Sequence, residues 1–199
     1  MIGIVDYGVG NLRSVKKAFD FLEMDNQIIS SAEEFSGINR LVLPGVGSFG
    51  YAVGKICQRG LYYPVKDWLQ AGKPFLGICL GLQLLFESSE ESPGLKGFSL
   101  FQGQCCRFQA QKVPQIGWND IQIQKENPLF QGIKDREFFY FVHGYYVLPE
   151  EKRNILALTQ YGQEYTSAAA QGRVCGVQFH PEKSGAAGLK VLSNWGKLC

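Results

Sequence analysis

Residues 74–86 form thirteen consecutive uncharged positions, and two structural patterns meet inside them at one residue. Pro74 to Ile78 is an unbroken apolar run, the pattern of a strand buried on both faces of a parallel sheet. Leu80 to Phe86 continues at once and predicts a helix. Cys79 therefore falls at a strand-to-helix turn, flanked by Gly77 and Gly81. Thirteen residues are well short of the roughly 20 that a membrane-spanning helix needs, so the run reads as protein core.

The rest of the first half alternates strands and helices. Ile2 to Val5 reads as a strand, Leu12, Val15, Phe19 and Leu22 as one helix face, and Gln27 to Ile29 as a second strand. Ser31 with Glu34 reads as a small capping box, Arg40 to Leu43 as a third strand, and Pro44 to Gly50 as a glycine loop ahead of a helical stretch. A further helix is expected near Leu61 to Ala71. Beyond Ser88 come β-type runs at Gly103 to Phe108, Trp118 to Ile123, Phe138 to Val147, Ile155 to Thr159, Ser167 to Ala170 and Val174 to Phe179. A closing helix carries Leu189, Leu192 and Trp195. The expected fold is α/β, a mixed, mainly parallel central sheet flanked by helices, with an antiparallel section in the second half. At roughly 150 residues per domain, 199 residues without a linker or repeat read as one domain spanning 1–199.

Composition narrows the function. Twenty Lys and Arg against eighteen Asp and Glu leave a formal charge of +2, which points away from nucleic acid. The start, Met1-Ile2-Gly3-Ile4-Val5-Asp6, has no basic flank and is no secretory signal, so a cytoplasmic protein is expected. The six cysteines, at 57, 79, 105, 106, 175 and 199, include no C-x-x-C pair, and the chain has only two histidines. No metal or other cofactor is expected, and the thiols are read as free, with Cys105 and Cys106 as strand filler. Glycine is over-used, 24 of 199 where average usage of roughly 7% would give about 14. It clusters in short loops that bring backbone close to something.

Gly77-Ile78-Cys79-Leu80-Gly81 is the thiol counterpart of the G-x-S-x-G nucleophile elbow. The turn presents the side chain at the carboxyl end of the sheet, and the following helix N-terminus favours a thiolate. His180 is the better of the two candidate bases, because Pro181 stiffens the turn and Glu182 lies two residues on, where its carboxylate can orient the imidazole. His143 lacks such a neighbour. Gly45 and Gly47 supply loop amides for a tetrahedral oxyanion, with the Leu80 amide as partner donor. The same loop contains G-x-G-x-x-G through Gly50, but the strand that follows ends in Cys79 and not in a ribose-binding acid, which argues against a dinucleotide site.

Asp6 to Asn11 (DYGVGN), Leu43 to Gly47 (LPGVG), Gly77 to Leu85 (GICLGLQLL), Gly117 to Asn119 (GWN), Phe141 to Tyr145 (FVHGY) and Gly176 to Ser184 (GVQFHPEKS) together resemble the class I glutamine amidotransferases over essentially the whole chain. Within that family they resemble the glutaminase subunits of imidazole glycerol phosphate synthase. The resemblance implies a flavodoxin-like amidotransferase fold and glutamine hydrolysis through a Cys79 thioester, with His180 protonating ammonia and Glu182 orienting His180. It further implies that Gln83, Glu91, Gly144 and Tyr145 bind substrate, and that Asn11, Trp118 and Lys183 lie at the interface with a partner. That partner is a (β/α)8 cyclase subunit, which uses the ammonia to make imidazole glycerol phosphate and an aminoimidazole carboxamide ribonucleotide. Gln115 stands where the family usually has histidine, and Gly144 where a small hydroxyl residue is frequent. A paralogous glutaminase feeding a surface-sugar synthase is the alternative. A peptidase-like cysteine hydrolase is disfavoured because Leu80, and not histidine, follows the nucleophile. A non-catalytic relative is disfavoured because Cys79, His180 and Glu182 are all present.

Overall fold

A computed structural model describes residues 1–109 and 112–199. In chain order the first half comprises β1 (Ile2–Val5), α1 (Leu12–Phe21), β2 (Asn26–Ile29), β3 (Arg40–Gly45), α2 (Phe49–Gln58), α3 (Tyr62–Gln70), β4 (Phe75–Cys79) and α4 (Leu80–Gln83). The second half comprises β5 (Phe86–Ser89), β6 (Phe101–Arg107), β7 (Gln115–Asp120), β8 (Gln122–Ile123), β9 (Phe138–His143), β10 (Tyr145–Pro149), β11 (Ile155–Tyr161), β12 (Gln163–Gln171), β13 (Val174–Val177) and α5 (Gly185–Leu198).

One sheet runs in the order β2-β1-β3-β4-β13-β12-β10-β6-β5, with β11 and β8 attached beside β12. The pairs from β2 to β13 are parallel; β13–β12, β12–β10 and β10–β6 are antiparallel, and β6–β5 is parallel again. The expected mixed sheet, parallel first and antiparallel later, is thus present.

Strand alternation sorts the core into two layers. Ile2, Ile4, Val42, Leu76, Ile78 and Val177 point to the side covered by Val15 and Phe19 of α1 and Val191, Leu192 and Trp195 of α5. Val5, Leu41, Leu43, Phe75 and Val174 point to the opposite side, covered by Phe49, Ala52 and Ile56 of α2 and Val65, Trp68 and Leu69 of α3. The apolar spacing of each helix matches the layer it covers. Phe19 and Trp195 meet across α1 and α5 with ring centroids 6.0 Å apart. Truncating the fully buried Trp195 to alanine would cost about 3–5 kcal/mol.

Several local expectations need correction. The helix expected over Leu80 to Phe86 stops at Gln83, and Phe86 opens β5. Leu84 to Phe86 offer no polar face to hold a helical period, and the Leu84 and Leu85 carbonyls accept instead from the amides of Phe98, Leu100 and Phe101. Gly97 permits that approach, since a Cβ there would lie 2.3 Å from the Phe86 oxygen. Pro44 and Gly45 belong to β3 rather than to a loop, because both are in register with β4. The run Phe138 to Val147 is two strands in different sheets that break at Gly144, with β9 pairing β7 in a separate two-stranded sheet and β10 joining the main one. Trp118 to Ile123 likewise divides between β7 and β8. The Glu34 carboxylate does reach back to the Ser31 amide at 3.2 Å, but it closes a single 3-10 turn, Glu33–Phe35. Among the described residues, no helix is long and apolar enough to cross a membrane.

Candidate active site

The β4–α4 turn is an elbow. Cys79 has φ 54° and ψ −106°, a conformation that costs a non-glycine residue on the order of 1–3 kcal/mol. Its neighbours permit it: a Cβ on Gly77 would lie 2.6 Å from the Gly81 backbone, and one on Gly81 would lie 1.9 Å from the Leu43 oxygen. The turn can therefore close only with glycine on both sides of the nucleophile. The helix behind Cys79 is one turn long, so a full macrodipole is absent and its free first amides remain.

β13 pairs in register with β4, Gly176 opposite Gly77, and delivers His180 just beyond the sheet. His180 is 2% exposed, and its amide donates to the Tyr140 carbonyl of β9 at 2.9 Å. Ser184 pins the same turn, its hydroxyl donating to the His180 carbonyl at 2.7 Å while accepting the Tyr140 amide at 3.0 Å. His180 Nδ1 lies 2.8 Å from Glu182 Oε1, and the Glu182 side chain is 1% exposed. Burial disfavours the imidazolium, but the adjacent Cys79 thiolate and the Glu182 carboxylate favour it, and the balance pushes His180 up to about 10. Nε2 is buried with no hydrogen-bond partner among the described residues, and neither His180 nor Glu182 borders the cavity over Cys79 directly.

A cavity of about 420 Å³ opens over Cys79, bordered by Val46, Gly47, Leu80, Gln83, Glu91, Val142, His143, Gly144, Tyr145 and Lys183. It gathers every substrate-binding residue expected from sequence except Gly45. Gly45 lies beneath the site, in register with Cys79 and against Tyr7, whose hydroxyl would be 2.4 Å from a Cβ there. Gly47 has φ +90°, while Gly144 has ordinary φ and room for a small side chain, with 3.5 Å to Val113. Glu91 Oε2 accepts the Phe49 amide at the start of α2 at 2.7 Å, and Ser92 Oγ accepts the Gly50 amide at 2.9 Å. One edge of the pocket is thereby tied to the segment that follows Gly47. A larger open cavity of about 770 Å³ near Ile123, Phe130 and Leu198 contains neither a cysteine nor a histidine.

Of the residues expected at a partner interface, Lys183 borders the cavity, and its ammonium sits 5.7 Å from the Tyr140 ring centroid. Trp118 is 57% exposed and meets Tyr140 edge-on at 6.2 Å. Asn11 is partly exposed at the N-cap of α1, without a side-chain capping bond. The preceding loop passes near β3, where a Cβ on Gly10 would lie 3.4 Å from the Pro44 oxygen.

Sequence reasoning missed Gln178, Tyr7 and the setting of His143. Gln178 is fully buried, with Nε2 3.6 Å from the Cys79 sulfur; a glutamine inside the apolar run Val174 to Phe179 was the available signal. The buried Tyr7 hydroxyl has no partner among the described residues, and burial together with the Cys79 charge raises its pKa far above the usual tyrosine range. His143 lies against Tyr145 O through Nδ1 at 2.8 Å and against the Tyr165 hydroxyl through Nε2 at 3.3 Å. Burial pulls His143 down to about 4, so neither nitrogen is placed as a base. Gln115 is buried, its Oε1 accepting from Tyr165 at 2.9 Å. Cys105 donates to the Gln83 carbonyl at 3.6 Å, at the end of α4. Among the described residues, no cluster of His, Cys, Asp and Glu could hold a metal ion.

Residues 4–197 match the family described as Glutamine amidotransferase class-I. Imidazole glycerol phosphate synthase subunit HisH of Thermococcus kodakarensis is 48% identical over 204 aligned positions, covering 100% of each chain. The HisH subunit of Caldanaerobacter subterraneus is 45% identical over 199, covering 100% of this chain and 98% of its own. A crystal structure of a glutamine amidotransferase superposes with a TM-score of 0.77 at 18% identity, covering 98% of both chains, a likeness of fold. With full-length identity at this level and a cysteine elbow facing a buried His–Glu pair, the chain belongs to the class I glutamine amidotransferase family, among relatives of the HisH subunit.

Proposed function

We propose that this chain hydrolyses glutamine at Cys79 and delivers the ammonia to a cyclase partner as the glutaminase subunit of imidazole glycerol phosphate synthase. The Cys79 thiolate attacks the side-chain amide carbon. The oxyanion that forms is met by the Leu80 amide and by backbone amides of Gly45 to Gly47. His180, held by Glu182, gives its proton to the departing nitrogen, and ammonia leaves as the thioester forms. Water then attacks the acyl carbon, its proton passes to His180, and glutamate is released as sulfur regains the electron pair. Gln83, Gly144 and Tyr145 shape the glutamine pocket. Glu91 spends Oε2 on the Phe49 amide and keeps Oε1 for the substrate ammonium.

The observation that carries this reading is that Cys79, Gln83 and Glu91 border one cavity while the buried His180–Glu182 pair sits beside Cys79. An exposed apolar face beside that cavity supports a docked partner. In the β7–β9 ribbon, Ile116 lies opposite Val142, Trp118 opposite Tyr140 and Asp120 opposite Phe138. Paired residues share a face, so Ile116, Trp118, Phe138, Tyr140 and Val142 form a patch running into the pocket wall. Ile116, Trp118 and Phe138 are more than half exposed. The partner is a (β/α)8 cyclase that combines ammonia with a phosphoribulosyl formimino carboxamide ribonucleotide, and the products are imidazole glycerol phosphate and an aminoimidazole carboxamide ribonucleotide.

The test is glutamate release by the chain alone, then with the histidine-pathway cyclase and its ribonucleotide ligand. Strong activation by the liganded cyclase is expected. If Cys79 is labelled by a glutamine-analogue electrophile but the cyclase gives no activation, the ammonia goes to another acceptor.

A further inference from the structure

The Cys79 sulfur has a hydrogen-bond donor that the Cys–His–Glu scheme does not use. Gln178 is fully buried, two residues before His180, and its amide donates to the Ser167 carbonyl at 2.8 Å, which fixes its backbone. Its side-chain Nε2 lies 3.6 Å from Cys79 Sγ, a hydrogen-bonding distance for an acceptor as large as sulfur.

Which end of that amide faces the sulfur is decided two links away, at a backbone carbonyl. The Tyr145 oxygen can only accept, and two donors converge on it: His143 Nδ1 at 2.8 Å and Gln83 Nε2 at 3.1 Å. Gln83 is therefore oriented with its NH2 inward, and the same nitrogen lies 3.3 Å from Gln178 Oε1. With its oxygen committed to Gln83, Gln178 has only N–H to offer the sulfur. Turning the chain round would set the Gln83 oxygen against the Tyr145 oxygen, acceptor on acceptor.

The second contact of the sulfur behaves differently. Cys79 Sγ lies 3.9 Å from the Val142 carbonyl, an acceptor that suits S–H and opposes S⁻. Ionisation abolishes that bond and strengthens the one from Gln178, because hydrogen bonds to a charged acceptor are the stronger ones. From this geometry we propose that Gln178 is a catalytic residue, whose side-chain amide donates to the Cys79 sulfur and stabilises it as a thiolate.

This role rests on the glutaminase reading and acts twice in the cycle. Before acylation the donor raises the fraction of thiolate available to attack. In deacylation, water's oxygen bonds to the acyl carbon and its proton goes to His180. The carbon–sulfur bond then breaks with its electron pair left on sulfur, where Gln178 donates again. A better-stabilised thiolate is a weaker nucleophile but a faster leaving group, so the larger benefit falls on thioester breakdown.

The experiment measures the rate of Cys79 alkylation by iodoacetamide against pH in wild type, Gln178→Met and Gln178→Glu, with folding checked by thermal melting. For Gln178→Met, losing the charge-assisted donor should move the pH midpoint of the alkylation profile up by about one to two units. Gln178→Glu, which sets a carboxylate against the sulfur, should rise further. In the partner-activated complex, kcat for glutamine should fall about 10- to 100-fold with KM changed less than about threefold. The wild-type protein supplies a readout that needs no folded variant: the side-chain amide protons of Gln178 should shift with the Cys79 titration, and alkylation should abolish that shift. A folded variant with an unchanged alkylation profile, or a Gln178 resonance indifferent to thiol ionisation, would overturn the proposal. Failure of the glutaminase reading would look different, as wild type that releases no glutamate with any partner while the alkylation profile still responds to Gln178.

Discussion

Gly45 and Cys79 face each other in register at the ends of adjacent parallel strands, β3 and β4. The backbone offered for the oxyanion and the nucleophile are thus fixed by one ladder, and the space between them is filled: a Cβ on Gly45 would lie 2.4 Å from the Tyr7 hydroxyl and 2.9 Å from the Leu80 Cβ.

Gly45→Ala should therefore strain both neighbours, at about 1–3 kcal/mol for overpacking, and displace the amides opposite the elbow, with glutaminase kcat falling about 100-fold or more. Tyr7→Phe alone should be neutral or stabilising by about 1 kcal/mol, because the hydroxyl it removes is buried without a partner among the described residues. The double variant should recover part of the lost stability, since Leu80 remains in the way. Denaturant unfolding of the four proteins checks this coupling, and strict additivity would count against the contact.

At the elbow itself, conformational strain separates two inactive variants. Cys79→Ala keeps a Cβ at φ 54°, whereas Cys79→Gly relieves it, so the glycine variant should have the larger unfolding free energy, by about 1 kcal/mol or more, in denaturant titration. Both should abolish glutamine use while leaving ammonia-dependent synthesis by the cyclase complex intact. Loss of both activities in Cys79→Ala would show that the roles are wrongly assigned.

Much of this site is legible in the sequence because its chemistry is local. The glycines beside Cys79 announce the turn, and Glu182 lies close enough in sequence to His180 for the pair to be read directly. What was not legible depends on long-range pairing. The all-apolar Leu84 to Phe86 weakens the helical period, but what ends the helix at Gln83 is long-range, since the competing donors come from residues 98–101. Nothing in Phe138 to Val147 shows that its halves enter different sheets. Gln178 carries a signal, a polar side chain in an apolar strand run, but its partner is 99 residues away.

Stability toward acid should be governed in part by His143. Burial holds its folded pKa at about 4, below the ordinary 6.5, with the Tyr145 carbonyl opposing and the His180 charge assisting. A depressed pKa means that the unfolded chain binds the proton first. Stability is therefore full above about pH 6.5 and is lost as pH falls toward 4, by roughly 3 kcal/mol. His180, raised to about 10, stays protonated in the folded state throughout; its opposing slope is confined to the upper end of the window, where the unfolded histidine with its ordinary 6.5 still loses its proton, and fades below about pH 5.5. Unfolding free energy measured from pH 7 to 4 should fall less steeply in His143→Asn than in wild type. Because neither His143 nitrogen is placed as a base, the same variant should keep glutaminase kcat within about tenfold.

The exposed face of the β7–β9 ribbon makes a separate prediction about assembly. Trp118 stands 57% exposed, edge-on to Tyr140, which in turn lies under the Lys183 ammonium beside the pocket mouth. Aromatic anchors of this kind carry much of the binding energy when a partner buries them, commonly about 2 kcal/mol or more. Trp118→Ala should weaken cyclase binding by about 30-fold, read by calorimetry, and Ile116→Ala and Phe138→Ala should each weaken it less. None of the three touches Cys79, so the rate of Cys79 alkylation in the free subunit should be unchanged. Unaltered cyclase affinity in all three variants would move the partner to another face of the molecule.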